Sequence, residues 1–264
     1  MNNKKLMKVL GLLAVVALVA ALLPVSPVKA AATLCVGPTT EGCFATIAGA
    51  VGAASAGDTI YIKAGTYDED ISTNKQLNII GEVDEAGDPL VEIGGRLNFD
   101  LPSAPFAWRI ENINFVVGTT YDSILRLRNA NGLTIKNSTF DGAGNYAAAP
   151  RKTGIELRSG TNNVTIENSL FTNGLFNAIS GEVDSLLVKD STIEDVNNGV
   201  VTTGRSGNSV TIENTDISVI ATSGSIYSIA IYFGGNSSDL TVTGSRIFID
   251  DQVPASGWFP PYHG

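Results

Sequence analysis

The chain has 264 residues, with 17 Lys and Arg against 26 Asp and Glu, one His, two Cys and 28 Gly. A net charge of −9 at pH 7 excludes a general nucleic-acid binder, whose affinity comes from clustered Lys and Arg that release counterions. The sole histidine, His263, is the next-to-last residue, which removes a Ser-His-Asp triad, a Cys-His pair and a His-rich zinc site from consideration. Charged residues make up only 16%, yet 44% of the chain is hydrophobic and much of that is β-branched, a composition for a core rather than for disorder.

Residues 2–8 carry Lys4, Lys5 and Lys8, and residues 9–23 are apolar apart from Gly11. Pro24 and Pro27 end the run, and Val28-Lys29-Ala30 sets small or modest residues before a cleavage point after Ala30. Residues 1–30 therefore read as a secretory signal peptide. The apolar run falls short of the roughly 20 residues that span a bilayer, and an uncleaved anchor is the alternative. Cleavage removes four lysines and no acids, leaving 13 basic against 26 acidic side chains. No later segment is apolar for eighteen residues, so no membrane span is expected after cleavage. In an oxidising compartment, Cys35 and Cys43 are expected to form a disulfide that closes a small Gly/Pro/Thr loop; a metal reading finds no partner ligands at suitable spacing.

One eight-residue phrase then recurs. Residues 133–140 (Leu-Thr-Ile-Lys-Asn-Ser-Thr-Phe) are followed by 164–171 (Val-Thr-Ile-Glu-Asn-Ser-Leu-Phe) and 186–193 (Leu-Leu-Val-Lys-Asp-Ser-Thr-Ile). Residues 210–217 (Val-Thr-Ile-Glu-Asn-Thr-Asp-Ile), 240–247 (Leu-Thr-Val-Thr-Gly-Ser-Arg-Ile) and an earlier copy at 108–115 (Trp-Arg-Ile-Glu-Asn-Ile-Asn-Phe) complete the set. The variable spacing is that of one unit carrying loops of different length. Leucine-rich repeats are a rival, but their Leu-x-Leu and Asn/Cys signature is missing. Within each phrase, period two sends apolar residues to one face. The fifth place holds Asn112, Asn137, Asn168, Asp190, Asn214 or Gly244, residue types that tolerate the left-handed backbone and can turn the chain sharply between two short strands. Stacked about 4.8 Å apart, their side chains can bond one another; an Asn-based binding ladder is the functional alternative. A third strand precedes each phrase, at 125–127, 155–157, 179–181, 201–203 and 229–231. Three short strands per unit, closed by parallel pairing with the next, predict an all-β, right-handed, single-stranded parallel β-helix of about seven coils.

Residues 44–67 (Phe-Ala-Thr-Ile-Ala-Gly-Ala-Val-Gly-Ala-Ala-Ser-Ala-Gly-Asp-Thr-Ile-Tyr-Ile-Lys-Ala-Gly-Thr-Tyr) resemble the N-terminal lead-in of secreted proteins with the pectin-lyase-like β-helix fold. The resemblance implies a short amphipathic capping helix, a turn at Gly57-Asp58 and a first strand at 59–63. The helical spacing of Phe44, Ile47, Val51 and Ala54 agrees. A single domain is expected over 31–264, with a cap at 31–57, coils at 58–249 and a tail or lid at 250–264. This fold hosts lyases, hydrolases, esterases, epimerases, adhesins and non-catalytic surface proteins, so it names no reaction.

In catalytic members of that fold, the strand preceding each phrase lines the substrate groove. Carried onto this chain, the groove strands are 125–128, 155–158, 179–182, 201–203 and 229–233. Period two sends Arg126, Arg128, Glu156, Arg158, Ser180 and Glu182 outward, and the loop at 141–153 adds Tyr146, Arg151 and Lys152. Guanidinium groups there suit bidentate contacts with an anionic sugar chain. In a lyase, an arginine such as Arg158 would neutralise the uronate carboxylate while Lys152 or Tyr146 removed the C5 proton. The plain alternative is a set of cross-strand ion pairs, Arg126–Glu156 and Arg158–Glu182. No cofactor is expected. The acidic runs Asp68-Glu69-Asp70 and Asp84, Glu85, Asp88 are either weak oxygen sites for Ca²⁺ or solvated loop charge. The tail, with Trp258, Phe259 and Tyr262 among Pro254, Pro260 and Pro261, cannot continue a coil. It is a lid over the last coil, an aromatic platform for sugar or a partner, or the early end of a longer helix. The function expected is that of an exported, non-catalytic, carbohydrate-associating protein of the cell surface or extracellular space, with a polysaccharide as partner. The alternatives are a polysaccharide lyase on acidic glycans and a structural, adhesin-like envelope rod.

Overall fold

A short strand with one apolar face has nowhere to bury it alone, and in this chain the next coil supplies the cover. The computed structural model describes residues 30–38, 40–102, 107–118, 120–144, 152–204, 208–220, 228–234 and 239–250. Residues 1–29 of the expected signal peptide, residues 251–264 of the tail, Tyr146 and Arg151 lie outside the described residues.

Three sheets are built entirely of parallel neighbours. The nine-stranded sheet holds β1 (Thr33–Val36), β2 (Thr59–Ile62), β5 (Asn78–Gly81), β8 (Trp108–Glu111), β11 (Leu133–Lys136), β14 (Val164–Glu167), β17 (Ser185–Lys189), β20 (Ser209–Glu213) and β23 (Asp239–Thr243). The eight-stranded sheet holds β3 (Gly65–Asp68), β6 (Val91–Gly94), β9 (Asn114–Val116), β12 (Thr139–Asp141), β15 (Leu170–Thr172), β18 (Thr192–Val196), β21 (Asp216–Ile220) and β24 (Arg246–Asp250). The seven-stranded sheet holds β4 (Ile71–Thr73), β7 (Leu97–Asp100), β10 (Ser123–Arg128), β13 (Thr153–Leu157), β16 (Asn177–Glu182), β19 (Asn198–Thr203) and β22 (Ile229–Gly234). Each recurring phrase contributes one strand to each of the first two sheets.

The core is a set of columns. Ile60, Ile79, Ile110, Ile135, Ile166, Val188 and Ile212 pair in register down the nine-stranded sheet, all essentially without solvent contact. Phe115, Phe140 and Phe171 stack with ring centroids 5.0 and 4.7 Å apart. Each fully buried aliphatic or aromatic side chain contributes roughly 1.5–3 kcal/mol, so repetition stabilises the body. The seven-stranded sheet corrects one expected register. Its inward column runs Leu125, Ile155, Ile179, Val200, Ile231, so Val200 faces the core and Val201 faces out. Two adjacent valines carry no period-two signal, and only pairing with Ile179 decides between them.

The turns between the phrase strands follow the backbone logic. Asn112, Asn137, Asn168, Asp190 and Asn214 all have φ between 47° and 61°, as does Gly244. Asn137 Nδ2 donates to Asn112 Oδ1 at 2.9 Å and Asn214 Nδ2 to Asp190 Oδ1 at 3.1 Å. Beside this ladder runs a spine that the sequence reading did not single out. Ser138, Ser169, Ser191 and Thr215 each donate a hydroxyl hydrogen bond to the carbonyl two residues back, at 2.7–2.9 Å. Each hydroxyl oxygen also accepts from the amide one coil below: Ile113, Ser138, Ser169 and Ser191 respectively. The signal was Ser or Thr at the sixth place of every phrase after the first.

At the N-terminal end, α1 (Ile47–Ala53) starts from Thr46, whose side chain accepts the Gly49 amide, and buries Ile47, Ala50 and Val51. Phe44, expected on this apolar face, instead precedes the cap, bridges to Val36 and is 37% exposed. Gly57, at φ 90°, makes the expected turn, and buried Asp58 accepts the amides of Ala32 and Ser55. Cys35 and Cys43 form the disulfide. No helix among the described residues is long and apolar enough to cross a membrane.

Asn168→Leu forces a branched side chain into the left-handed region and is expected to lower stability by roughly 1–2 kcal/mol. Asn168→Gly should lose less; equal losses in denaturation midpoint would detach the effect from the turn. Ser191→Ala orphans the buried Ser169 amide and is expected to destabilise by about 1–3 kcal/mol. Ser191→Thr should restore most of that in the same assay, and failure to do so would contradict the spine.

Candidate functional site

The outer face of the seven-stranded sheet carries the polar side chains singled out from the sequence, because residues two apart on a strand share a face. Asn98 of β7, Arg126 of β10, Glu156 of β13, Ser180 of β16, Val201 of β19 and Tyr232 of β22 form one column. Asp100 and Arg128 are paired in a second. Arg158 follows β13, and Glu182 ends β16 beside Thr203.

Charges on this face meet one another. Arg126 Nε donates to Glu156 Oε2 at 2.6 Å, and its Nη2 donates to Asp122 Oδ1 at 3.2 Å. Glu156 also accepts the Ser123 hydroxyl at 3.1 Å and pairs with the Arg158 guanidinium. The Arg126–Glu156 pair expected across strands is therefore present. The salt bridge that Arg158 makes runs to Glu156, two residues away on its own face, where a cross-strand pair with Glu182 was expected. Arg128 Nη1 lies 3.6 Å from Asp100 Oδ2. The result is a mixed strip, since Asp100, Asp122, Glu156 and Glu182 accompany the three arginines. Asn98, Asp100 and Asp122 were missed from the sequence. Leu97-Asn-Phe-Asp100 has the same alternation as Leu125-Arg-Leu-Arg128, and that was the available signal.

Asn98, Asp100, Arg126, Arg128 and Arg158 line a hollow of about 220 Å³. A larger one, of about 890 Å³, shares Asn98 and Asp100 with it and extends over Ser72, Thr73 and Lys75 toward Val51 of α1. Its wall is fixed by Asn98 Nδ2 donating to Ser72 Oγ at 2.7 Å, and by Lys75 Nζ donating to the carbonyls of Val51 and Gly52.

Lys152, expected in the groove as a base, is only 1% exposed. Its amine donates to the carbonyl oxygens of Gly118 at 2.9 Å and Tyr121 at 2.6 Å. Burial pushes its pKa below the usual lysine value. The Tyr121 ring lies under the Arg96 guanidinium, 3.8 Å from its centroid. Lys152 thus holds from beneath the chain that brings Asp122 to Arg126. Three members of the acidic runs are also committed to backbone. Glu69 accepts the Ile47 and Ala48 amides of α1, Asp70 accepts that of Arg96, and Asp84 accepts those of Ala86 and Asp88. Among the described residues, no group of three or more His, Cys, Asp or Glu side chains is arranged to hold a metal ion.

The family model described as the right handed beta helix region matches residues 123–252, the stretch that contains the groove strands from β10 onward. The chain is a right-handed parallel β-helix protein. A comparison with solved structures finds likenesses at low identity. The deglycosylated pectin methylesterase from Aspergillus niger is 16% identical over 85% of this chain and 91% of that one, with a TM-score of 0.45. A variant of the PL6 family alginate lyase AlyGC is 13% identical over 84% of this chain and 39% of that one, with a TM-score of 0.48. The cedar pollen allergen jun a 1 is 12% identical over 89% and 83%, with a TM-score of 0.33. At such identities and scores these likenesses say nothing of chemistry. No curated protein matches the sequence.

Lys152 gives this β-helix a pH signature. The unfolded chain keeps the Lys152 proton up to the ordinary lysine range, whereas the folded chain releases it earlier, so native stability rises with pH between those two points. Denaturation midpoints of the parent and of Lys152→Met, compared from neutral pH to about pH 10, are expected to move apart in favour of the parent. A constant gap would contradict the lowered pKa.

Proposed function

We propose that this β-helix protein is non-catalytic, works outside the cell or at its surface, and associates with an anionic polysaccharide along the outer face of the seven-stranded sheet. The observation that carries the reading is the convergence of Arg126, Arg128 and Arg158 with Asn98 and Asp100 around one hollow. Arg128 and Arg158 are 53% and 47% exposed and come from successive coils. They present planar forks to a carboxylate at roughly the 4.8 Å strand spacing. Asn98 and Asp100 add a donor and acceptors for hydroxyls. Arg126 is already held by Glu156 and Asp122, so less ordering is required when a ligand arrives. The leader sequence and the Cys35–Cys43 bond fit an oxidising, extracellular setting.

Binding is favoured over lyase chemistry because Lys152 spends its amine on two carbonyls beneath the face instead of meeting a sugar from above. A specific observation favours the structural-rod reading as a second choice. Lys136 and Lys189 both pair with Glu167 on the nine-stranded sheet, at 3.4 and 3.3 Å, so that wall answers its own charges.

The double variant Arg128→Ala/Arg158→Ala is expected to keep its melting temperature, because exposed ion pairs add little to stability. It should lose most of the parent's retention on an immobilised polyuronate. Equal retention of the two proteins would remove the anionic-glycan reading. Release of 4,5-unsaturated ends, seen as ultraviolet absorbance on incubation with polyuronates, would replace binding by lysis.

A further inference from the structure

The outer column that carries Arg126 does not end with the arginines. It continues through Glu156 of β13, Ser180 of β16 and Val201 of β19 to Tyr232 of β22. In the neighbouring column Glu182 pairs with Thr203, and Thr203 with Gly234. Beyond Arg158 the face is therefore low, since Ser180, Val201 and Thr203 are short side chains. Tyr232 is the large one there, and it is 49% exposed. A β-carbon built at Gly234 would lie 3.1 Å from both Cε1 and the hydroxyl oxygen of Tyr232. Residues two apart on a strand share a face, so the tyrosine ring leans along β22 into the space that a side chain at 234 would fill. Glycine is disfavoured in strands, and here its missing side chain is the room in which the ring lies. A lone exposed apolar residue is ordinary on any surface. Tyr232 differs in being seated on a glycine and in register with the polar column of the candidate site.

We infer that Tyr232 is a stacking platform for a sugar ring, a second subsite on the face that carries the arginines. The inference rests on the glycan-binding reading and adds what the bound chain must be. β19 and β22 contain no Lys or Arg, so this end recognises the sugar ring and not its charge. The C–H face of a pyranose packs on the aromatic ring while its hydroxyls stay in water. Tyrosine offers a large, rigid, amphipathic surface, and a ring already laid on the sheet has little freedom left to lose. From β13 through β16 and β19 to β22 is three strand steps, roughly 14 Å. A pyranose unit in an extended chain is about as long as one step, so a glycan with one unit on Arg158 and another on Tyr232 has about four units. Thr203 and Glu182 supply a hydroxyl and a carboxylate to the hydroxyls of the units between. The ligand is thus a polysaccharide with acid groups over the arginines and an apolar sugar face over Tyr232.

Affinity for oligouronates of graded length is measured with the parent, Tyr232→Ala, Tyr232→Phe and Gly234→Val. Tyr232→Ala is expected to weaken binding of long chains by roughly 2- to 10-fold, the worth of one aromatic contact. It should leave unchanged the binding of oligomers of about three units or fewer, which the arginines hold short of Tyr232. Tyr232→Phe keeps the ring and should bind like the parent, whereas Gly234→Val takes the ring's space and should fall with Tyr232→Ala. If Gly234→Val does not fold, the two Tyr232 variants decide. Equal affinity of the parent and Tyr232→Ala for long chains, or an equal deficit on short and long ones, overturns the platform. In the same assay, loss in Arg128→Ala/Arg158→Ala with none in Tyr232→Ala removes the platform alone, and the converse removes the arginine reading alone. A parent that binds no uronate is run through gels containing neutral polysaccharides. Retardation that Tyr232→Ala abolishes then keeps the platform without the arginine reading, and no retardation removes both.

Discussion

Register between successive coils is the constraint on which everything else rests. Each turn of the chain has an apolar inner wall that it cannot cover by itself, and the coil above supplies that cover only if like residues meet. A shift of one residue would send a whole column to solvent. The columns of isoleucine and phenylalanine, the left-handed corners and the hydroxyl spine all repeat at the strand spacing because they answer to this one requirement.

The hydroxyl spine shows how the constraint is met at the tightest point. A left-handed corner between two strands leaves amides that neither sheet can pair. Placing Ser or Thr immediately after the corner residue gives the coil below an acceptor and ties the hydroxyl hydrogen to its own coil. Unsatisfied buried amides are costly, so a repeated small hydroxyl is a better answer than any apolar residue of the same size. The first copy has Ile113 in that place, and its amide is served by Ser138 of the next coil.

On the outer face of the seven-stranded sheet the same register assembles the candidate site. It lines up Asn98 with Arg126 and Glu156, and Asp100 with Arg128, so that side chains distant in sequence surround one hollow. Carboxylates accompany the guanidiniums. Ion pairs with Asp122 and Glu156 hold Arg126 in place, and Glu156 also pairs with Arg158. The lysine that the loop at 141–153 was expected to contribute turns inward, since carbonyls of Gly118 and Tyr121 offer it a lined socket.

The amino-acid sequence by itself determined the coil. Period-two alternation, a corner residue of Asn, Asp or Gly and the recurrence of one phrase are local, repeated signals, and they specify three strands per turn and the inward residues of most of them. The disulfide followed from two cysteines eight residues apart, read with an N-terminal run expected to direct export. Tertiary structure alone decided where local signals tie or are silent. Val200 and Val201 are equivalent to any pattern until Ile179 selects one. Lys152 departs from expectation because its carbonyl partners lie more than 30 residues away along the chain, and Phe44 because it bridges to Val36 before the helix begins. Arg158 meets Glu156 rather than Glu182 because long side chains choose among several neighbours on a flat face, and that choice is made by three-dimensional geometry, which no spacing along the chain encodes.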